Sequence, residues 1–109
     1  FRYPFIQYLI ITLMRFLIRA QIPTEAGNIL VKRPKFLEEI EGYMKKVSAE
    51  TAYFFEEGGD RIFAFIVNIE RADKIPFIAE PLFQDIGAKV EIHPVMLLED
   101  LKKAVFVYK

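Results

Sequence analysis

Apolar and polar positions alternate with a period of two through RFLIRAQI, residues 15 to 22. Phe16, Ile18, Ala20 and Ile22 fall on one side, and Arg15, Leu17, Arg19 and Gln21 on the other. That is the pattern of a strand with one strongly apolar face. After Pro23 the period changes. Thr24 offers a helix start and Pro34 can open a second helical turn. Phe36, Leu37, Ile40, Tyr43, Met44 and Val47 then recur at helical spacing against Glu38, Glu39, Glu41, Lys45 and Lys46. Two strand-forming runs follow, ETAYFFEE and DRIFAFIVNI, joined through EGGD at 57 to 60. Paired glycines supply the positive-φ conformations that a tight hairpin needs. The second run is apolar on both faces, so it must be covered on both sides.

In RADKIPFIAEPLFQDIGA, the residues Ile75, Ile78, Ala79, Leu82, Phe83 and Ile86 again keep helical spacing. Asp73 stands as the expected N-cap, Pro76 suits the first turn, and Gly87 marks the stop. Pro81 is expected to kink this helix or begin a new one. KVEIHPVM, residues 89 to 96, returns to a strand, LLEDLKKA reads as a short helix, and VFVYK at the end as a further small strand.

The order strand, helix, strand, strand, helix, strand predicts a ferredoxin-like βαββαβ fold of the α+β class. Its antiparallel sheet carries both helices on one face, with spatial strand order fourth, first, third, second. The opposite face is expected to carry Leu17, Tyr53 or Phe54, Phe63, Phe65 and Val67, or their alternates, an apolar patch that would mark an interface. Two such sheets packed face to face predict a homodimer, the arrangement of a dimeric α/β-barrel. A chain of 109 residues buries only about two-thirds of its unfolded surface, so a partner subunit would add stability.

Residues 1 to 13, FRYPFIQYLIITL, stand apart with a single charge, Arg2. They read as an apolar N-terminal extension, native or a remnant, before a single domain over 14 to 109. Arg15 and Arg19 interrupt the apolar run before the ~20 residues that a membrane-spanning helix needs. No small-residue cleavage site of the secretory kind follows it. Lys plus Arg (15) balance Asp plus Glu (15), and no basic run exceeds two residues, which argues against a nucleic-acid binder. The absence of cysteine excludes disulfides, thiolate metal sites and a cysteine nucleophile, and makes a cytoplasmic location the expectation. Eleven Phe and five Tyr point to a core or cavity filled by flat side chains.

If the registers hold, Arg19 and Gln21 of the first strand and Glu91 and His93 of the fourth share the face away from the helices. That makes an apolar cleft with a few placed polar groups, the usual form of a small-molecule site. His93, the only histidine, would be the acid or base, with Glu91 or Arg19 setting its pKa and Arg19 receiving a carboxylate. Tyr53 and Asn68 are secondary candidates for orienting a ligand. The alternative account makes Glu91 and Arg19 a cross-strand pair on a wet part of the sheet, with His93 ending the strand before Pro94. EEGGDR at 56 to 61 reads as a solvated hairpin tip, because it lacks both a nucleotide-loop lysine and a calcium-loop ladder of carboxylates. There is no metalloprotease, dinucleotide or serine-hydrolase motif, and Ser48 is the only serine.

The run AEPLFQDIGAKVEIHPVM, residues 79 to 96, resembles the PLF-containing helix, strand and trailing His-Pro region of small muconolactone-isomerase-like proteins of the dimeric α/β-barrel superfamily. That resemblance implies a homodimer and leaves two functions open. One is a binding or assembly module for a small aromatic or carboxylate-bearing molecule. The other is a cofactor-independent isomerase or monooxygenase-like enzyme using His93 and Arg19. No metal is implied, and haem only through His93, the one imidazole available to iron.

Overall fold

The computed structural model describes residues 14 to 105; the apolar extension and the small strand expected after Val105 lie outside them. The elements are β1 (Arg15–Ile22), α1 (Thr24–Leu30), α2 (Phe36–Lys46), β2 (Thr51–Glu57), β3 (Asp60–Asn68), α3 (Lys74–Ile86), β4 (Lys89–Val95) and α4 (Leu98–Val105). The four strands form one antiparallel sheet in the order β2-β3-β1-β4, the predicted ferredoxin-like topology. Two features add to the six-element scheme, both as the local patterns predicted: the first crossover is split into α1 and α2 around Pro34, and the short helix α4 follows the last strand.

The core lies between the sheet and the helices. Across the central strands Ile18 pairs with Phe65 and with Ile92, and Ala20 with Phe63 and Val90. Ile18, Ala20, Phe65 and Val67 have no exposed surface, and Leu82 of α3 has almost none. Tyr43 of α2 closes the layer from above, meeting the Phe63 and Phe65 rings edge-on at 6.3 and 5.7 Å between centroids. Its hydroxyl donates to the carbonyl of Ile78 at 2.7 Å, which ties α2 to α3. Burial raises the Tyr43 phenol above its ordinary value, which favours the protonated, donating form.

This placement decides which of the two apolar sets of β3 lies under the helices. Phe63, Phe65 and Val67 point to the helices, because they pair with Ala20, Ile18 and Phe16. Phe54 shares their side, opposite Phe63, so its neighbour Phe55 joins Tyr53 on the other. The face away from the helices carries Leu17, Ile62, Ala64, Ile66, Tyr53 and Phe55, together with the polar residues of β1 and β4.

Local signals held with two exceptions. Gly58 and Gly59 both have positive φ, 61° and 87°, and make the two-residue hairpin turn. Gly87 ends α3 in the left-handed region at φ 67°, its N–H donating to Phe83. Pro81, however, lies inside an uninterrupted α3. A proline removes one N–H from the ladder, and burial of Ile78, Ala79 and Leu82 on either side of it holds the helix together. Asp73 occupies the cap position, but its carboxylate accepts from Arg71 Nε at 3.0 Å and makes no cap hydrogen bond.

Phe65→Ala removes the largest fully buried side chain and is expected to cost about 3–5 kcal/mol, close to the whole stability of a small domain. Tyr43→Phe, which keeps the ring and drops one hydrogen bond, should cost about 1 kcal/mol. Chemical denaturation followed by circular dichroism checks both, and an equal loss in the two variants would contradict this packing.

Candidate functional site

The alternation of β1 and β4 puts Arg19 and Glu91 directly opposite each other on the open face, with Leu17 opposite His93 one step along. Arg19 Nη1 lies 3.6 Å from Glu91 Oε2, and His93 Nε2 lies 2.9 Å from Glu91 Oε1. Arg19 Nη1 also donates to Gln21 Oε1 at 3.3 Å. Gln21 Nε2 in turn donates to Asp60 Oδ2 at 2.9 Å, whose other oxygen accepts from Thr24 Oγ1 at 3.1 Å. Four of the expected site residues, Arg19, Gln21, Glu91 and His93, therefore form one connected network.

The strongest partner of Arg19 is one that the sequence did not single out. Its Nη2 meets Glu57 Oε1 at 2.8 Å, and Glu57 belongs to β2, two strands away. The side chain must cross β3 to get there. It lies over Ile62 and Ala64, which are only 1% and 5% exposed although they sit on the face without helices. The Arg19 side chain is 16% exposed, and a long apolar stem of this kind can cover surface while its head stays paired.

Electrostatically the network is self-contained. The hydrogen bond to Glu57 raises the Arg19 pKa, opposed by partial burial. Glu91 is held below the ordinary carboxylate range, first by the hydrogen bond from His93 and then by the charge of Arg19, with desolvation working against both. Asp60 is lowered chiefly by the hydrogen bonds from Gln21 and Thr24. Two carboxylates already flank the guanidinium, so an incoming carboxylate would have to displace one of them.

Tyr53 shares the row of Arg19, with Ala64 between them, and is exposed. Asn68 does not join: it stands at the far end of β3 opposite Arg15, and borders a separate pocket with Lys46 and Ser48.

On the helix side there is a cavity of about 200 Å³ that the sequence did not indicate. Phe63 forms its floor, and Leu30, Phe36, Ile40 and Leu82 stand among its walls. Arg33, in the connection between α1 and α2, spans the mouth. It donates to Glu39 Oε1 at 3.0 Å and to the carbonyl of Asp85 at 3.3 Å, near the carboxyl end of α3 where a cation is favoured. The one hint in the sequence was Pro34, which breaks the crossover into two helices and leaves a gap between them.

Among the described residues no group of three or more His, Asp or Glu is placed to hold a metal ion, and no helix is long and apolar enough to cross a membrane.

No protein-family model and no curated protein matches the chain. Among solved structures it is similar to the regulatory subunit of aspartate kinase from Thermus thermophilus in its ligand-free form. The identity is 17% and the TM-score 0.50, over 75% of this chain and 52% of that one. The likeness is one of fold. This chain spans about half the length of that subunit. Two de novo designed proteins, Ferredog-Diesel and Foldit4, also match, with TM-scores of 0.44 and 0.42, identities of 14% and 18%, coverage of this chain of 72% and 77%, and coverage of their own chains of 83% and 97%. The muconolactone-isomerase-like expectation thus narrows to the ferredoxin-like α+β fold.

The depressed carboxylates set a pH dependence. A group whose folded pKa is lowered contributes stability above its unfolded pKa, and that contribution is lost as pH falls through the folded value. With ordinary values of 4.5 for Glu91 and 3.8 for Asp60, stability should fall as the solution is acidified below that window. Glu91→Gln combined with Thr24→Val should flatten the acid limb in urea titrations run at successive pH values. An unchanged slope would show that neither group is coupled to folding.

Proposed function

We propose that this domain is a non-catalytic module that binds a small molecule in the cavity between α2 and α3. The observation that carries the reading is the cavity itself, apolar within and bordered by a few polar groups at its mouth. Its volume of about 200 Å³ exceeds the roughly 150 Å³ that suffices for a benzene ring in an engineered core, and falls below the ~300 Å³ at which drug-sized pockets begin. A single ring or a branched aliphatic group fits that volume. Glu39 and Asp85 outnumber Arg33 at the mouth, so a neutral molecule or an amine fits better than the carboxylate expected at Arg19. Similarity in fold to a regulatory subunit is consistent with binding, though it carries no ligand identity.

The enzyme reading keeps one geometric support, the His93 and Glu91 pair at 2.9 Å, a carboxylate-oriented imidazole. Against it, the pair lies exposed and Glu91 is shared with Arg19. A face-to-face homodimer is also less favoured than the alternation alone suggests. Phe63, Phe65 and Val67 face the helices, which leaves the alternate set Ile62, Ala64 and Ile66 for the open face, and Ile62 and Ala64 are already buried.

A thermal-shift screen of phenol, indole, benzylamine and benzoate should stabilise the chain with the amine or the neutral rings and not with benzoate. Ile40→Phe, which fills the cavity, should abolish that stabilisation, while His93→Ala should leave it intact. Stabilisation lost in His93→Ala and kept in Ile40→Phe would move the site to the sheet face and overturn the reading.

A further inference from the structure

The two edges of the sheet are built differently. The outer edge of β4 is guarded by Lys89, Glu91, His93 and Pro94, residues that discourage another strand from pairing. The outer edge of β2 has no such guard. Among the described residues no strand pairs with it, and from Thr51 to Phe55 it carries neither charge, proline nor glycine. Its aromatics are exposed on both faces: Tyr53 and Phe54 at 59% and Phe55 at 46%. Beside it an almost wholly apolar groove of about 240 Å³ runs past Phe36, Leu37 and Phe54, and Leu37 is 77% exposed. A long apolar edge strand of this kind is a template for β-pairing.

We propose that β2 pairs with β2 of a second copy, antiparallel about a two-fold axis at Phe54, to make a continuous sheet of twice the width with all helices on one side. The strand's own sequence selects this register. Antiparallel pairing about a two-fold keeps each side chain on its face, so a residue can oppose only one of its own parity. Centring on Tyr53 sets Glu50 against Glu56 of the other copy, and like charges directly opposite are destabilising. Centring on Phe55 leaves Thr51 and Ala52 without a strand residue opposite. Centring on Phe54 pairs all seven residues from Thr51 to Glu57, sets Glu56 against Ala52 and Glu57 against Thr51, and brings Tyr53 against Phe55 from each side. Such aromatic cross-strand pairs are among the favourable ones. On the helix side Phe54, stacked on Phe63 at 5.0 Å, meets its own symmetry mate.

The pairing does not depend on the ligand-binding reading and is tested apart from it. The chain has no cysteine, so single cysteines report the register. Directly opposed residues of an antiparallel pair lie about 4.5–5.5 Å apart at Cα, within disulfide range. Under mild oxidation Phe54→Cys should cross-link to a covalent dimer roughly tenfold or more faster than Tyr53→Cys or Phe55→Cys alone, and an equimolar mixture of those two should cross-link nearly as well. Sedimentation velocity of the unmodified chain should show a dimer, and Phe54→Lys, at an exposed position, a folded monomer by circular dichroism. A monomeric unmodified chain, as would follow if residues 1 to 13 of the same molecule lay along the edge, overturns the proposal. So does equal cross-linking of all three cysteine variants, or a dimer that survives Phe54→Lys and is broken by Leu17→Lys on the open face.

Discussion

Ile18 and Phe65 face each other on the central pair of strands, both wholly buried, with the Tyr43 ring edge-on against Phe65. The rest of the domain depends on this contact. Once these two side chains are committed to the helix layer, strand alternation leaves no freedom for their neighbours. Arg19 and Ala64 must point the other way, as must Glu91 beside Ile92. The helices sit where they do because that is where β1 and β3 present apolar surface without interruption. The open face then has to be made compatible with water by means other than a second layer.

Arg19 is the means. Reaching across β3 to Glu57, it spans the strand that carries the buried Ile62 and Ala64 and keeps a paired charge on the open face. Exposed ion pairs are worth little, about 0–1 kcal/mol, so the Coulombic contacts in this network do not hold the fold together. An apolar stem of this length can do more, by covering surface. This also explains why residues that look like a catalytic cluster in the sequence form a poor receptor. Each polar group already has a partner, and a ligand gains only what it can offer beyond them.

How much was legible follows the same logic. Where one face of a strand is polar, alternation alone assigns the faces: Val90 and Ile92 against Glu91 and His93, and Ile18 and Ala20 against Arg19 and Gln21, were readable from the sequence. DRIFAFIVN was not, because a strand apolar on both faces carries the period without its sign. Only the register with β1 decides which of its two apolar sets lies under the helices, and register is a long-range property. The cavity and the reach of Arg19 to Glu57 were hidden for the same reason, since each joins residues about 30 or more positions apart. Pro81 and Asp73 misled differently. There a local rule was right about preference and was outweighed by burial of α3 in one case and by the nearby Arg71 in the other.

Small domains of this topology bury one face well and leave the other, and the two edges, to be managed. Here the management is uneven. The open face has the Arg19 network, and the β4 edge has Pro94 and three titratable side chains. Apolar residues on α4, Leu98, Leu101 and Val105, are exposed on a short helix whose charged residues keep it wetted. β2 stands out because its aromatics are exposed on both faces, so that no rotation of a side chain can hide them. Its only charges are the two glutamates next to the hairpin, where they would end an antiparallel ladder and not obstruct its middle. An edge that is unguarded at its centre and charged at one end specifies a register as well as permitting a partner, which is what separates an assembly surface from a mere liability to aggregate.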